Sequence, residues 1–340
     1  MESKDKRNLN ELLNVLRRQA YSKTKSCYIT ECDKKPIAAH SIAKSRLLKK
    51  ISDRGEVLQY GKTIDTTSSL SLCPIGKSIA TTFPGFCGDH DRTIFNIIDD
   101  SDYSPGNKTQ EFLFAFRATA REYTVRKAVD SLLFEIIKDL KNRHTETISK
   151  YGFKPENFNL KFLSDFYIAF HTGTEDLEED RRILIVNYNK KRFWKITTEL
   201  IELDAEYPIV ASSNFNLEFD PNGKLINDFR DLKNTMRPTF LTIFPQNRKT
   251  YVIFSWMHKD NNYYLGLKGI NSLPMEQKLI IVSNLLTAYV ENFAVNPSYW
   301  NNTPDEMKAK FLSYAGASMS YDIVPFIIDN NLNIFKTRIE

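Results

Sequence analysis

Two short-spaced pairs of potential metal ligands, Cys27-x4-Cys32 and Cys87-x2-His90, stand 54 residues apart in the chain. A tetrahedral zinc site draws its ligands from two tight turns that the fold then brings together. This pairing therefore constrains residues 27–90 more strongly than any local propensity. The second pair opens a helix-like run, FCGDHDRTIFNII, which places Cys87 and His90 at a first helical turn. Free N–H groups and the helix dipole favour thiolate charge there. Gly85 and Gly88 let the backbone wrap close to an ion. Structural Zn2+ on Cys27, Cys32, Cys87 and His90 is the expectation. The alternative is that two of these are ordinary buried cysteines and His90 a surface histidine. Cys73 belongs to neither pair and reads as a packing residue.

Charge is distributed unevenly. Residues 1–54 hold 14 Lys/Arg against 6 Asp/Glu, whereas the remainder holds 33 against 36. A basic end of this kind suits an anionic partner, and a solvated basic helix explains it equally well. With 41% hydrophobic and 26% charged residues the chain is globular in composition. No stretch approaches the roughly 20 consecutive apolar residues of a membrane span. The first twenty residues are too charged for a secretory leader, so a cytoplasmic protein without membrane partners is expected.

Periodicity predicts a helix near residues 4–20 on Leu9, Leu12, Leu13 and Leu16, and a long helix from about Gln110 to Lys141. Strands are predicted at RRILIVNY (181–188), YPIVASSNFNLEFD, PTFLTIFP and TYVIFSWMHKD, with a turn at FDPNG. A helix is expected over 275–295, stopped by Pro297, then a short helix near 304–314 and an apolar tail from Ile323 to Phe335. The acidic run 175–180 reads as a solvated loop. The expected fold class is α+β. A zinc module with the basic helix occupies residues 1–104, a helical connector 105–154, and an α+β recognition or assembly domain with an antiparallel sheet 155–340. Aromatic residues of that last region read mostly as core.

His40 ends a short strand-like run, PIAAHSI. A neutral imidazole there could activate water against a phosphodiester. A core histidine bonded to backbone, or a replacement zinc ligand, is the competing reading. Together, a first knuckle (Cys27, Cys32), a strand ending in histidine (AHSIAKS) and a second pair opening a helix resemble the HNH nucleases. Their ββα-metal core is often built round a treble-clef zinc site. The resemblance covers residues ~25–100 and implies a catalytic divalent ion, Mg2+ or Mn2+, held from the last helix. By position Asp91 is the first candidate ligand and Asn96 the second. The residue before His40 is Ala39, where the family often has an acidic residue or a second histidine, and the loop before the helix is long. The wider layout is similar to uncharacterised bacterial proteins with a setting in anti-phage defence.

Lys44, Arg46, Lys49 and Lys50 form a basic run after His40 that could position a phosphate backbone of DNA or RNA. A basic amphipathic helix packing by its leucines accounts for them equally. Arg117 and Arg121, one turn apart, could clamp a phosphate or pair with acidic residues of the zinc module. Phosphate loops of the G-x4-G-K-[ST] and G-x-G-x-x-G types are absent, as is a G-x-S-x-G elbow. The expected activity is therefore metal-dependent phosphodiester hydrolysis with His40 as general base. The rival readings are a non-catalytic zinc-stabilised module that binds nucleic acid or protein, and a scaffold that joins a second protein or copy through the C-terminal domain.

Overall fold

The spacing of Leu9, Leu12, Leu13 and Leu16 yields helix α1 (Glu2–Lys23) in the computed structural model of the chain, which describes residues 2–61, 70–317 and 324–335. The four leucines are buried among Val129, Leu132, Leu133, Ile136, Leu163 and Phe166, and each such side chain contributes about 1.5–3 kcal/mol. The other helices are α2 (Lys49–Ile51), α3 (Gly88–Asp99), α4 (Lys108–Lys141), α5 (Glu146–Lys150), α6 (Leu160–Asn189), α7 (Met275–Tyr289), α8 (Pro297–Asn302) and α9 (Asp305–Tyr314). The strands are β1 (Ala39–His40), β2 (Glu56–Gly61), β3 (Ser71–Gly76), β4 (Thr82–Phe83), β5 (Ile196–Leu203), β6 (Ile209–Phe215), β7 (Thr239–Gln246), β8 (Lys249–Met257) and β9 (Phe293–Val295).

Seven strands form one antiparallel sheet in the order β3-β2-β9-β6-β7-β8-β5, and β1 pairs with β4 in a separate small sheet. The large sheet is covered on both faces. Alternation along β8 sends Val252, Phe254 and Trp256 to a core shared with α7 and the segment 324–335. Tyr251 and Ile253 face a second core with Ile42, Leu47, Leu48, Ile51 and Tyr103. Two covered faces explain why these strands read as nearly continuous apolar runs. Phe240, Phe244, Tyr251, Phe254, Trp256 and Tyr264 are buried core, whereas Tyr263 is exposed with the Arg237 guanidinium 3.7 Å over its ring.

The expected boundaries at 104 and 155 are crossed by this sheet. Hairpin β2–β3, from the region expected to form the zinc module, joins its edge through Leu58 opposite Val295. Nor does α4 act as a connector. Asn107 caps it by accepting from the Thr109 and Gln110 amides, and the helix packs against strands β5 to β8 as well as α1 and α6. Thr119 on α4 accepts a 3.1 Å bond from the Asn214 amide on β6.

Three local expectations are corrected. RRILIVNY is the end of helix α6, not a strand. Leu184 and Ile185 are buried, whereas Val186 is 41% exposed, the pattern of a helix face. Asn159 caps α6 and nothing breaks it before Asn189, so β-branched composition is overridden by helical context. The acidic run 175–180 lies inside the same helix, with Asp180 buried. Burial pushes the Asp180 carboxyl well above the usual carboxylate range. Helix α7 ends at Tyr289 because residues 293–295 are taken into the sheet as β9, and Pro297 opens α8. The turn at FDPNG is as expected: Asp220 Oδ1 accepts from the Asn222 and Lys224 amides, and Gly223 takes φ +78°. Ile323, the first residue of the expected apolar tail, lies outside the described residues.

Candidate metal centre

Four ligand atoms from Cys27, Cys32, Cys87 and His90 lie within 4.8 Å of one another and could hold a metal ion. The two pairs converge through backbone bonds: the Tyr28 amide donates to Gly85 O at 2.6 Å, and Ile37 N donates to Phe86 O at 2.8 Å. Glu31 turns the first loop at φ +63°. Gly85 is required because a Cβ there would lie 2.2 Å from the Phe83 ring. From the other side Arg181 of α6 donates twice to Tyr28 O, at 2.8 and 2.6 Å. This irregular segment is thus bound to the helical layer.

His90 Nδ1 stands 3.4 Å from Cys27 Sγ and 3.3 Å from Cys87 Sγ, and Cys32 Sγ is 3.9 Å from Cys87 Sγ. Burial pushes the Cys27 thiol up to about 11. For Cys87, burial is outweighed by hydrogen bonds from the His90 and Asp89 amides and the neighbouring thiols, and the net effect is a lowered value. Cys87 sits at the N-cap of α3, where anionic sulfur is favoured. Cys73 lies on β3, opposite Gln59 and apart from this group.

Ahead of the second pair, β1 and β4 pair as Ala39 opposite Phe83 and His40 opposite Thr82. Strand, strand and helix α3 thus follow one another. The long intervening loop contains hairpin β2–β3, which explains its length by recruitment to the large sheet. His40 is half-buried with Nε2 3.4 Å from Lys77 O. Burial lowers its proton affinity; Lys44 and Arg117 add to that, while the Lys77 carbonyl and Asp99 oppose it.

Helix α3 distributes the candidate ligands unequally. Asp91 is half-buried near Arg117 and Asp99, and burial raises its carboxyl. Asn96 stands about 140° round the helix and is exposed, so it is not on the Asp91 side. What sequence reasoning missed is Asp99, whose charge acts on both His40 and Asp91. Arg117 binds it with two 2.7 Å bonds and lies 4.1 Å over the Phe95 ring. Of the two earlier options, Arg117 takes the pairing with an acidic residue of the module. The signal available in sequence was the eight-residue spacing Asp91–Asp99, two turns on one side of the helix.

Arg117 is 3% exposed and Asp99 31%. Truncating one partner of a largely buried pair strands the other charge, so Arg117→Ala is expected to cost about 3 kcal/mol. A lowered denaturant midpoint at constant slope would show it.

The basic run is divided. Arg46 pairs with Asp102 and the Ser101 carbonyl, and Lys50 pairs with Glu206 at 2.6 Å, while Lys44 and Lys49 are exposed. Leu47, Leu48 and Ile51 anchor the run in the core. No helix among the described residues is long and apolar enough to cross a membrane. The chain matches no family model, and no curated protein or solved structure matches it.

Proposed function

We propose that residues 25–100 form a treble-clef zinc module with an HNH-like site that hydrolyses phosphodiester bonds. The observation that carries this reading is the convergence of Cys27, Cys32, Cys87 and His90, which draws β1, β4 and α3 together with His40 at the strand end. Zinc suits the donor set. Zn–S and Zn–N distances of about 2.3 and 2.0–2.1 Å imply tetrahedral edges of roughly 3.5–3.6 Å between nitrogen and sulfur and about 3.8 Å between sulfurs. Three of the six separations lie close to these, 3.4 and 3.3 Å from His90 Nδ1 to the Cys27 and Cys87 sulfurs and 3.9 Å between the Cys32 and Cys87 sulfurs, and all fall within 4.8 Å.

His40 is the general base. Its lowered proton affinity keeps the imidazole neutral near pH 7. A proton on Nε2 would donate to the Lys77 carbonyl, which leaves the Nδ1 lone pair to accept a proton from water. The water oxygen then bonds to phosphorus as one ester P–O bond breaks, and the departing sugar oxygen keeps the bonding pair and takes a proton from solvent. Mg2+ or Mn2+ would be held by Asp91 together with substrate phosphate oxygens, and would stabilise charge developing on the phosphate. Lys44 and Lys49 would meet the nucleic-acid backbone, while Arg46 and Lys50 are committed to carboxylates.

A non-catalytic binding module is favoured by one observation. Asp99 is taken up by Arg117 with both oxygens, so Asp91 is the carboxylate left on that side of α3. Metal analysis coupled to cleavage assays on mixed DNA and RNA, with and without Mg2+ or Mn2+, separates the two readings. Stoichiometric zinc with no cleavage under either ion selects the module.

Charge reversal of Lys44 and Lys49 to glutamate should weaken nucleic-acid binding equally across sequences, because phosphate contacts carry no base information. Binding titrations at several salt concentrations should also give a shallower slope. Unchanged affinity would move the contact surface elsewhere.

A further inference from the structure

Thr81 adopts φ +59°, a conformation that strains a β-branched residue and persists only where its surroundings over-determine it. It adjoins Thr82, the partner of His40 across the small sheet. Its amide donates to Gln59 Oε1 at 3.1 Å, and its carbonyl accepts from Ser41 N at 3.0 Å and Ser41 Oγ at 2.8 Å. Ser41, next in sequence to His40, is held in turn from the C-terminal half. Asn292 Nδ2 donates to Ser41 Oγ at 2.8 Å and to Ser212 O at 2.7 Å. The Asn292 carbonyl accepts from Ser212 N at 3.1 Å, and Gln59 Nε2 donates to Phe293 O at 3.3 Å.

Asn292 is 2% exposed, and both protons of its amide are committed. This chain of bonds is the polar route by which the large sheet meets the strand end bearing His40. We infer that Asn292 is a positioning residue for His40, setting the direction of the imidazole through Ser41 and the strained Thr81. The inference rests on the reading of His40 as the base. It makes the C-terminal half of the chain a support of the site.

The test compares Ser41→Ala and Asn292→Ala in the full chain, by NMR titration of the His40 ring and by cleavage kinetics. The charged groups whose fields act on His40 are Lys44, Arg117 and Asp99, and neither variant alters them. Both variants are expected to retain metal and change His40 proton affinity by about threefold or more. kcat should fall about 10–100-fold with KM unchanged, as for misplacement of a reacting group. The double variant should be no worse than the worse single, because the two residues act as one unit.

Wild-type titration and kcat in both folded single variants would overturn the inference, as would an effect of Ser41→Ala with Asn292→Ala silent. If Asn292→Ala does not fold, the near-isosteric Asn292→Leu, which removes both donors but keeps the volume, takes its place in the same comparison. Should the wild-type chain cleave nothing under Mg2+ or Mn2+, the nuclease reading falls, and the His40 titration still decides the positioning.

Discussion

Replacing Cys87 with serine is expected to release the metal and melt the segment around residues 25–100. Cys87 is buried at the head of α3, its sulfur within 3.9 Å of Cys32 and 3.3 Å of His90. The three remaining donors would have to share an ion with a hard, weakly acidic hydroxyl. Structural zinc in small peptides contributes about 10–16 kcal/mol of apparent binding free energy near pH 7. A whole domain is typically stable by only about 5–15 kcal/mol. The predicted signature is loss of stoichiometric zinc and a melting temperature lower by about 10 °C or more. A strong chelator should reproduce it on the wild type. Acid should do so as well, because protons compete for thiolate and imidazole. An unchanged melting curve in a metal-free, soluble variant would show that packing by Phe83, Phe86 and Phe95 suffices.

His40→Ala is the second large effect. Loss of a general base typically costs about 10²–10⁴-fold in rate. Zinc content, melting temperature and nucleic-acid affinity should stay near wild type. If His40 serves packing alone, stability should fall and the cleavage rate should not. The pH dependence supplies an independent check. Folding lowers the affinity of His40 for a proton below the ordinary value of 6.5. Cleavage should therefore be flat through neutrality and decline as pH falls through that lowered value. The unfolded chain binds this proton more readily, so the same group also withdraws stability as pH drops below about 6.5. In His40→Ala that acid-dependent part of the stability profile should vanish.

Much of the helical layer and the ligand group was legible in the sequence. Leu9 to Leu16 recur at helical pitch and are buried as that pitch requires. The two ligand pairs carry their own spacing logic, and the four side chains do converge. These are local signals, encoded within a few residues of one another. RRILIVNY misled because four consecutive apolar residues satisfy a buried strand as readily as a helix. Its state was settled by a cap 22 residues upstream, at Asn159, and by a neighbouring helix on which Leu184 and Ile185 pack.

Other features had no local signature. Recruitment of β2 and β3 into a sheet completed by β9, more than 200 residues on, depends on edge pairing. Register and face matching decide that pairing, and composition does not. Asp99 gave no motif, because its role depends on Arg117 reaching it from another helix and lying buried over Phe95. Likewise, nothing near Asn292 in the chain announces that its amide reaches Ser41, 251 residues away. Residue order made legible the ligand pairs, the runs of α1 and α4 and the apolar strands β6 to β8, but not β5 or β9, since the former follow from periodicity or ligand spacing. Tertiary structure alone decided which carboxylate stands near His40, which basic residues remain exposed and which half of the chain holds the histidine in place, because those outcomes depend on burial and on partners brought together only by the fold.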